Sequence, residues 1–433
     1  MINIRANHFG SLYFFLNSSK TMNNWKLKAS LFLNYFVFAI LLNSVGIVIS
    51  KSINVYKITE SNASVLEAFK DLPIALVSLL IASFLPKLGY KKAMLIGLLI
   101  VFFGCIGMYL GNSFLSAKLL FLSIGVSFAL IKLSVYSLIG EITNSQKEHT
   151  AFMSSIEGFF MIGIATAYFL FPYFYSETDI NQWLNVYLVL CGLIFVSFVF
   201  LLFSEIPKEI SSDETSIMED LQASFKLIIL PLVLVFVASA FFFVMIEQGI
   251  MTWLPRFNQK IFAFSEKLSV QMASILAVSL ALGRFLAGMV AKKISWVVIV
   301  IVCSMVSILI LFFVLPQLKT SGEEVKMISS ITEVPFLGFV LPLIGLFIAP
   351  IYPLLNSAVL SSLPKKLHSS MSGLIIIFSA LGGTLGSRIV GTLFEVMGGV
   401  NAFYFLFIPI ILLIVFVLRI QAIIKKQAEN HPF

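Results

Sequence analysis

Charged side chains interrupt the apolar stretches of this 433-residue chain at Glu67, Lys70, Asp71, Lys132, Glu157, Glu247, Arg284 and Arg388, with Glu395 close to the end of another stretch. An ionisable group in the middle of a bilayer costs at least about 2.5–3.5 kcal/mol unless it is paired or reached by water, so each of these is a candidate for function. Such groups can exchange protons, pair and separate as helices move, or grip a polar solute. Acid–base catalysis at the membrane face often needs a histidine. Here His8, His149, His368 and His431 all fall in tails or loops, and no nucleophile–base constellation is found. No Cys/His grouping has the spacing of metal ligands, so neither metal nor cofactor is expected and the chain does not read as an enzyme.

The elements that must carry these charges are membrane-spanning helices. Hydrophobic residues make up 59% of the chain and charged residues 12%, about half the charge of a soluble domain. Runs such as Leu31 to Ile49, Ala93 to Leu110 and Trp296 to Leu315 reach the roughly 20 apolar residues that a helix needs to cross the hydrocarbon core. Short alternating segments are absent, which argues against an outer-membrane barrel. The predicted fold class is all-α integral membrane, with twelve transmembrane helices in two six-helix bundles. Predicted spans cover about residues 29–50, 63–86, 92–111, 116–140, 150–175, 182–203, 227–254, 267–290, 295–315, 335–362, 369–396 and 400–423. The chain divides into an N-terminal tail (1–28), a first bundle (29–203), a polar linker (204–226) holding Glu205, Glu209, Asp213, Glu214, Glu219 and Asp220, a second bundle (227–424) and a C-terminal tail (425–433).

The net charge of +8 invites a nucleic-acid reading, but most of the excess lies in short loops, where positive charge sets topology. With an even number of spans, 17 Lys and Arg fall on the side of the termini, 8 on the other side and 4 within spans. This bias predicts both termini and the linker in the cytoplasm. Cys105, Cys191 and Cys303 sit inside apolar segments of different spans and read as buried thiols rather than disulfides. No small-residue cleavage site follows the first 28 residues, so the first apolar run reads as a span and not a removed leader.

A weak repeat relates the halves: Ser83 to Tyr90 (SFLPKLGY) and Met289 to Trp296 (MVAKKISW) are basic turns ending in an aromatic, offset by 206 residues. Ala82 to Lys92 (ASFLPKLGYKK) resembles the signature turn between the second and third spans of the major facilitator superfamily, with Pro86 where that turn has an acid. Gly283 to Lys293 (GRFLAGMVAKK) resembles the family's eighth span and following turn. Gly373 to Gly386 (GLIIIFSALGGTLG) resembles the eleventh span of the fucose–galactose–gluconate proton symporters, and Glu247 to Pro255 (EQGIMTWLP) a seventh-span pattern common among facilitators. Those symporters carry an acid after an asparagine in the first span, where this chain has Asn43 and Ser44.

The resemblance implies the major facilitator fold, in which the fifth and eighth spans adjoin across the halves, as do the second and eleventh. Lys132 and Glu157 lie at a similar depth, roughly 10–12 Å from the terminal side by helix rise. With Arg284 of the eighth span they form an expected cluster that couples a proton to motion; a permanent structural bridge is the other reading. On the opposite side, Asp71 and Arg388 are expected to gate by pairing across the halves, against pairing within one half such as Lys70 with Glu67. The first, fourth, seventh and tenth spans line the family's cavity, which makes Asn43, Lys132, Glu247, Trp253, Tyr352 and Asn356 the expected substrate site. Trp253 suits an interfacial belt equally well. Pro342, Pro350 and Pro353 suit a kinked gate or simple shape adaptation. The run from Gly382 to Gly386 reads as close helix packing.

The expected function is therefore secondary active transport: alternating access moving a small polar organic solute across a bacterial inner membrane, as a monomer coupled to protons. Glu157 to Gly163 lacks the Gly-Pro pair of many facilitator antiporters, which leans toward import. Alternatives are a carrier of a carboxylate-rich metabolite or siderophore, in either direction, and a membrane nutrient sensor that binds without transporting.

Overall fold

The computed structural model describes residues 25–82, 85–143, 146–204, 226–318, 326–363 and 368–430. Most of the N-terminal tail, residues 205–225 of the linker with its acidic residues, and positions 83–84 of the first basic turn lie outside the described residues.

Eleven helices among the described residues are long and apolar enough to cross a membrane. The twelfth span, second in the chain, is Val65–Ala82; Glu67, Lys70 and Asp71 put three charges into its 18 residues. The first span is longer than its apolar run and consists of two helices, Trp25–Asn43 and Val45–Tyr56. They meet at Ser44, whose hydroxyl donates to the Leu41 carbonyl at 2.7 Å, a backbone bond that bends helices. The third to sixth spans are Tyr90–Gly111, Phe114–Ile142, Gln146–Tyr173 and Val186–Leu202. Pro231–Ile261, Glu266–Val290 and Trp296–Val314 form the seventh to ninth.

Local chemistry sets the ends. Ser113 and Ser265 cap the fourth and eighth spans by accepting from the backbone N–H of Ser116 and Leu268, satisfying donors that a helix start leaves orphaned. The tenth span breaks into Phe336–Val340, a 3-10 turn at Leu341–Leu343, Ile344–Ile348 and Ile351–Ser361. Pro342 and Pro350 stand at the breaks, where a missing N–H ends the ladder. The eleventh span is His368–Met397, and the last helix, Phe407–Asn430, continues into the expected C-terminal tail.

Six spans form each bundle, and the halves meet along three spans of each. The second span packs on the eleventh, the fifth on the eighth, and Val45–Tyr56 of the first on the seventh. At the last contact the backbones nearly touch: a Cβ built on Gly46 would lie 2.4 Å from the Thr252 carbonyl oxygen. Gly382 and Gly386 bring the eleventh span equally close to the backbone of the seventh at Phe241 and Met245, the close approach that small residues permit. Large apolar side chains such as Phe103, Leu110 and Phe312 are exposed on the outside of the bundle, where lipid takes the place of water. Counting alternate helices, Trp25 and Asn430 share one face of the bundle, called the terminal face below.

Candidate functional site

A cavity of about 310 Å³ lies between the two halves. Its polar wall combines Asn43 of the first span, Lys70 and Asp71 of the second, and Lys132 of the fourth with Glu247, Gln248 and Arg284 of the seventh and eighth. Phe128, Phe160, Met161 and Met251 are among the residues of its apolar wall. An apolar enclosure with a few convergent polar groups is the usual form of a small-molecule site.

The charges are arranged in small sets. Glu67, Lys70 and Asp71 are neighbours on one helical face by their spacing of three and four residues. Lys70 Nζ lies 2.5 Å from Glu67 Oε1 and 3.4 Å from Asp71 Oδ1. Glu67 is fully buried, and its second oxygen accepts from the Thr252 hydroxyl at 2.9 Å, so this set crosses from one half to the other. Asp71 also touches the eleventh span, because a Cβ on Gly383 would lie 2.6 Å from its Oδ2. In the second half, Arg284 Nη2 pairs with Glu247 Oε1 at 3.1 Å. Glu157 accepts from the Tyr136 hydroxyl at 3.0 Å. Lys132 Nζ stands 5.7 Å from the ring centroids of both Phe128 and Tyr136.

These positions regroup the residues singled out in the sequence. Arg284 meets Glu247 and not Glu157, so Lys132, Glu157 and Arg284 form no single ion cluster. Depth along a helix fixes height and leaves the facing direction open, and Arg284 turns toward its own bundle. Arg388 bonds to the Ser61 carbonyl and, at 3.3 Å, to the Ser64 hydroxyl, while Asp71 pairs with Lys70; the expected Asp71–Arg388 pair is not formed. Both alternatives cross or close the same face, but Arg388 reaches the short helix Glu60–Ala63 that precedes the second span. Asn43, Lys132 and Glu247 line the cavity; Trp253, Tyr352 and Asn356 are not among its lining residues. Trp253 is fully buried, donates its indole N–H to the Ser387 carbonyl at 3.0 Å and stacks on Phe394. It is neither a cavity wall nor an interfacial belt residue, because a face of the seventh span packs it against the eleventh. The Tyr352 hydroxyl meets Ser379 at 3.1 Å and its ring stacks on Phe243, and Asn356 follows one turn later on the same helix.

A polar layer that sequence reasoning missed joins the halves beyond the cavity, at the face opposite the termini. Lys51 Nζ lies 2.6 Å from Glu266 Oε2, and Arg256 Nη2 lies 2.7 Å from Glu60 Oε1. Asn54 ties the two together: its amide donates to Gln259 and Glu266, and its carbonyl accepts from Arg256 at 2.8 Å. Glu395 accepts from the Ser61 N–H at 2.9 Å further along the same face. Lys51, Glu60, Arg256 and Glu266 sit at span ends, where charge is ordinary, so nothing in their spacing separated them from loop residues. The side chains of Lys51 and Arg256 are each 5% exposed, whereas that of Arg284, at the cavity, is 38% exposed.

The sequence profile of the Major Facilitator Superfamily matches residues 29–387. No curated protein sequence matches the chain. Among solved structures, a bacterial homologue of the human lysosomal transporter Spinster, in an inward-facing and unoccupied conformation, aligns with a TM-score of 0.68 at 14% identity, covering 94% of this chain and 97% of that one. A POT family transporter in complex with a thioalcohol-conjugated peptide gives a TM-score of 0.70 at 14% identity, covering 93% and 98%. The E. coli fucose:proton symporter gives 0.60 at 12% identity, covering 92% and 99%. At these identities the likeness is one of fold.

Proposed function

The chain belongs to the Major Facilitator Superfamily and is a multi-pass membrane transporter rather than an enzyme, and on that premise we propose that it is a secondary active carrier working by alternating access. The observation that carries this reading is the cavity between the halves with a layer of cross-half ion pairs on one side of it. Two bundles that rock about a central site need such a layer to form and break in turn. The excess of Lys and Arg on the side of the termini supports a cytoplasmic terminal face. In that orientation the closed layer is external, and the conformation is inward-facing.

The cargo is a small polar organic solute imported with protons across a bacterial cytoplasmic membrane, by a monomer with both termini inside. Solved relatives by fold include a fucose:proton symporter, which supports proton coupling as the starting hypothesis. Asp71 at the cavity and Glu157 beside it are the carboxylates assigned to the proton, with Lys132, Arg284 and Arg388 as the cations that sense its arrival. Two bundles at residues 29–203 and 227–424 are the moving bodies. The test is counterflow in proteoliposomes with sugar and carboxylate panels, read alongside internal pH. Solute exchange with proton movement that stops in Glu157→Gln or Asp71→Asn supports the reading; exchange with no proton movement in any panel removes the coupling.

A further inference from the structure

We propose that the central cavity takes a solute bearing one carboxylate on an apolar body, and that Lys132 receives the carboxylate; this rests on the carrier reading above. Five ionisable side chains line the cavity: Lys70, Asp71, Lys132, Glu247 and Arg284. Four of them have ionic partners, since Arg284 pairs with Glu247 and Lys70 with both Glu67 and Asp71. Lys132 differs. Among the described residues it makes neither an ion pair nor a hydrogen bond, and its ammonium stands near two aromatic rings. Glu157, the acid on the neighbouring span, interacts with Lys132 electrostatically but accepts its hydrogen bond from the Tyr136 hydroxyl and is not among the cavity-lining residues.

A cavity-lining cation with no carboxylate in bonding contact can take an anion directly, whereas a neutral sugar offers it no charge. Its height separates it from Lys70 and Asp71. A Cβ on Gly125 would lie 2.4 Å from the Lys70 carbonyl, so the second and fourth spans are level there. Lys132 follows seven residues later, about 10 Å nearer the terminal face by helix rise. It is therefore set well apart from the Lys70–Asp71 pair and free to hold a ligand of its own. Phe128, Phe160, Met161 and Met251 belong to the apolar wall, and the unbranched, polarizable methionines adapt to irregular apolar shapes. The cavity of about 310 Å³ has room for about ten waters, which suits a small monocarboxylate. A polycarboxylate would bring more negative charge than this one cation can meet.

The test uses the purified full chain with phenylpropionate and isocaproate, their uncharged amides, and fucose as probes. Thermal stabilisation and counterflow are the readouts. A carboxylate should stabilise and exchange where its amide does not; Lys132→Gln should weaken it by about tenfold to a hundredfold, the worth of a hydrogen bond to a charged group, with most of the affinity kept in Lys132→Arg. Exchange of fucose or of an amide, unchanged in Lys132→Gln, overturns the carboxylate assignment. So does a lack of response to every probe when spin labels on the two bundles still report both open and closed distances at each face, an outcome that leaves the carrier reading standing. If those distances show one conformation under all conditions, the carrier reading itself fails.

Discussion

The ammonium of Lys51 lies 2.6 Å from the Glu266 carboxylate, bonding the end of the first span to the start of the eighth. The lysine is the buried partner, and it also stands 4.2 Å from the centroid of the Tyr175 ring. Glu266 is 31% exposed, so water tempers the attraction and the pair contributes less than a fully desolvated one.

Lys51→Gln is expected to weaken the closed layer by about 1–2 kcal/mol, or roughly fivefold to thirtyfold in the closed-to-open ratio. Distances between spin labels on the two bundles at this face should lengthen in a larger fraction of molecules. The double exchange Lys51→Glu with Glu266→Lys should recover much of the closed population. No lengthening in the single variant would mean that Arg256 and Glu60 hold the layer without it.

Glu67 is fully buried and answers to both Lys70 and Thr252. Removing one partner of a buried pair leaves an uncompensated charge, at about 3–5 kcal/mol. Glu67→Ala should therefore lower the melting temperature in detergent far more than Thr252→Val, which loses one hydrogen bond worth about 1–3 kcal/mol. Equal shifts for the two would argue that Lys70 is satisfied by Asp71.

Trp253→Phe should cost stability and leave solute affinity nearly unchanged. The substitution removes the indole donation to Ser387, a loss of about 1 kcal/mol, while the ring stays out of the cavity. A tenfold loss of affinity with unaltered melting would return Trp253 to the solute site that its sequence context suggested.

Glu157 and Tyr136 share one hydrogen bond at 3.0 Å. If this carboxylate carries the proton, Glu157→Gln should keep counterflow and lose accumulation against a gradient. Tyr136→Phe should retain both. Accumulation by the Gln variant would leave Asp71 as the remaining acid at the cavity.

The spans are legible in the sequence because each needs a run of apolar residues, and charge interrupts few of those runs. The second span is the most densely interrupted, with three charges in 18 residues, and one of them, Glu67, bonds across the halves to Thr252. Site residues are harder to read, because a helix turns about 100° per residue and sequence depth gives height without direction. Depth groups Lys132 with Glu157, yet it is Tyr136, one turn along the fourth span from Lys132, that bonds to Glu157. Glu247 looks isolated along the chain and is paired in space with Arg284. Arg256 and Glu60 stand 196 positions apart, and only the packing of the bundles reveals them as one latch.

Gly46 has a use beyond packing. The nearest atoms to its missing methyl are the backbone oxygen and Cα of Thr252, at 2.4 and 2.9 Å, and backbone cannot swing aside as a side chain does. A single added carbon at this position would act as a wedge driven into the hinge line, and it would press on one conformation while sparing any in which the first and seventh spans draw apart. Alanine here is thus a chemical doorstop: the smallest change to the chain that could hold the molecule open to the face this structure keeps shut, and a route to trapping that other shape for study.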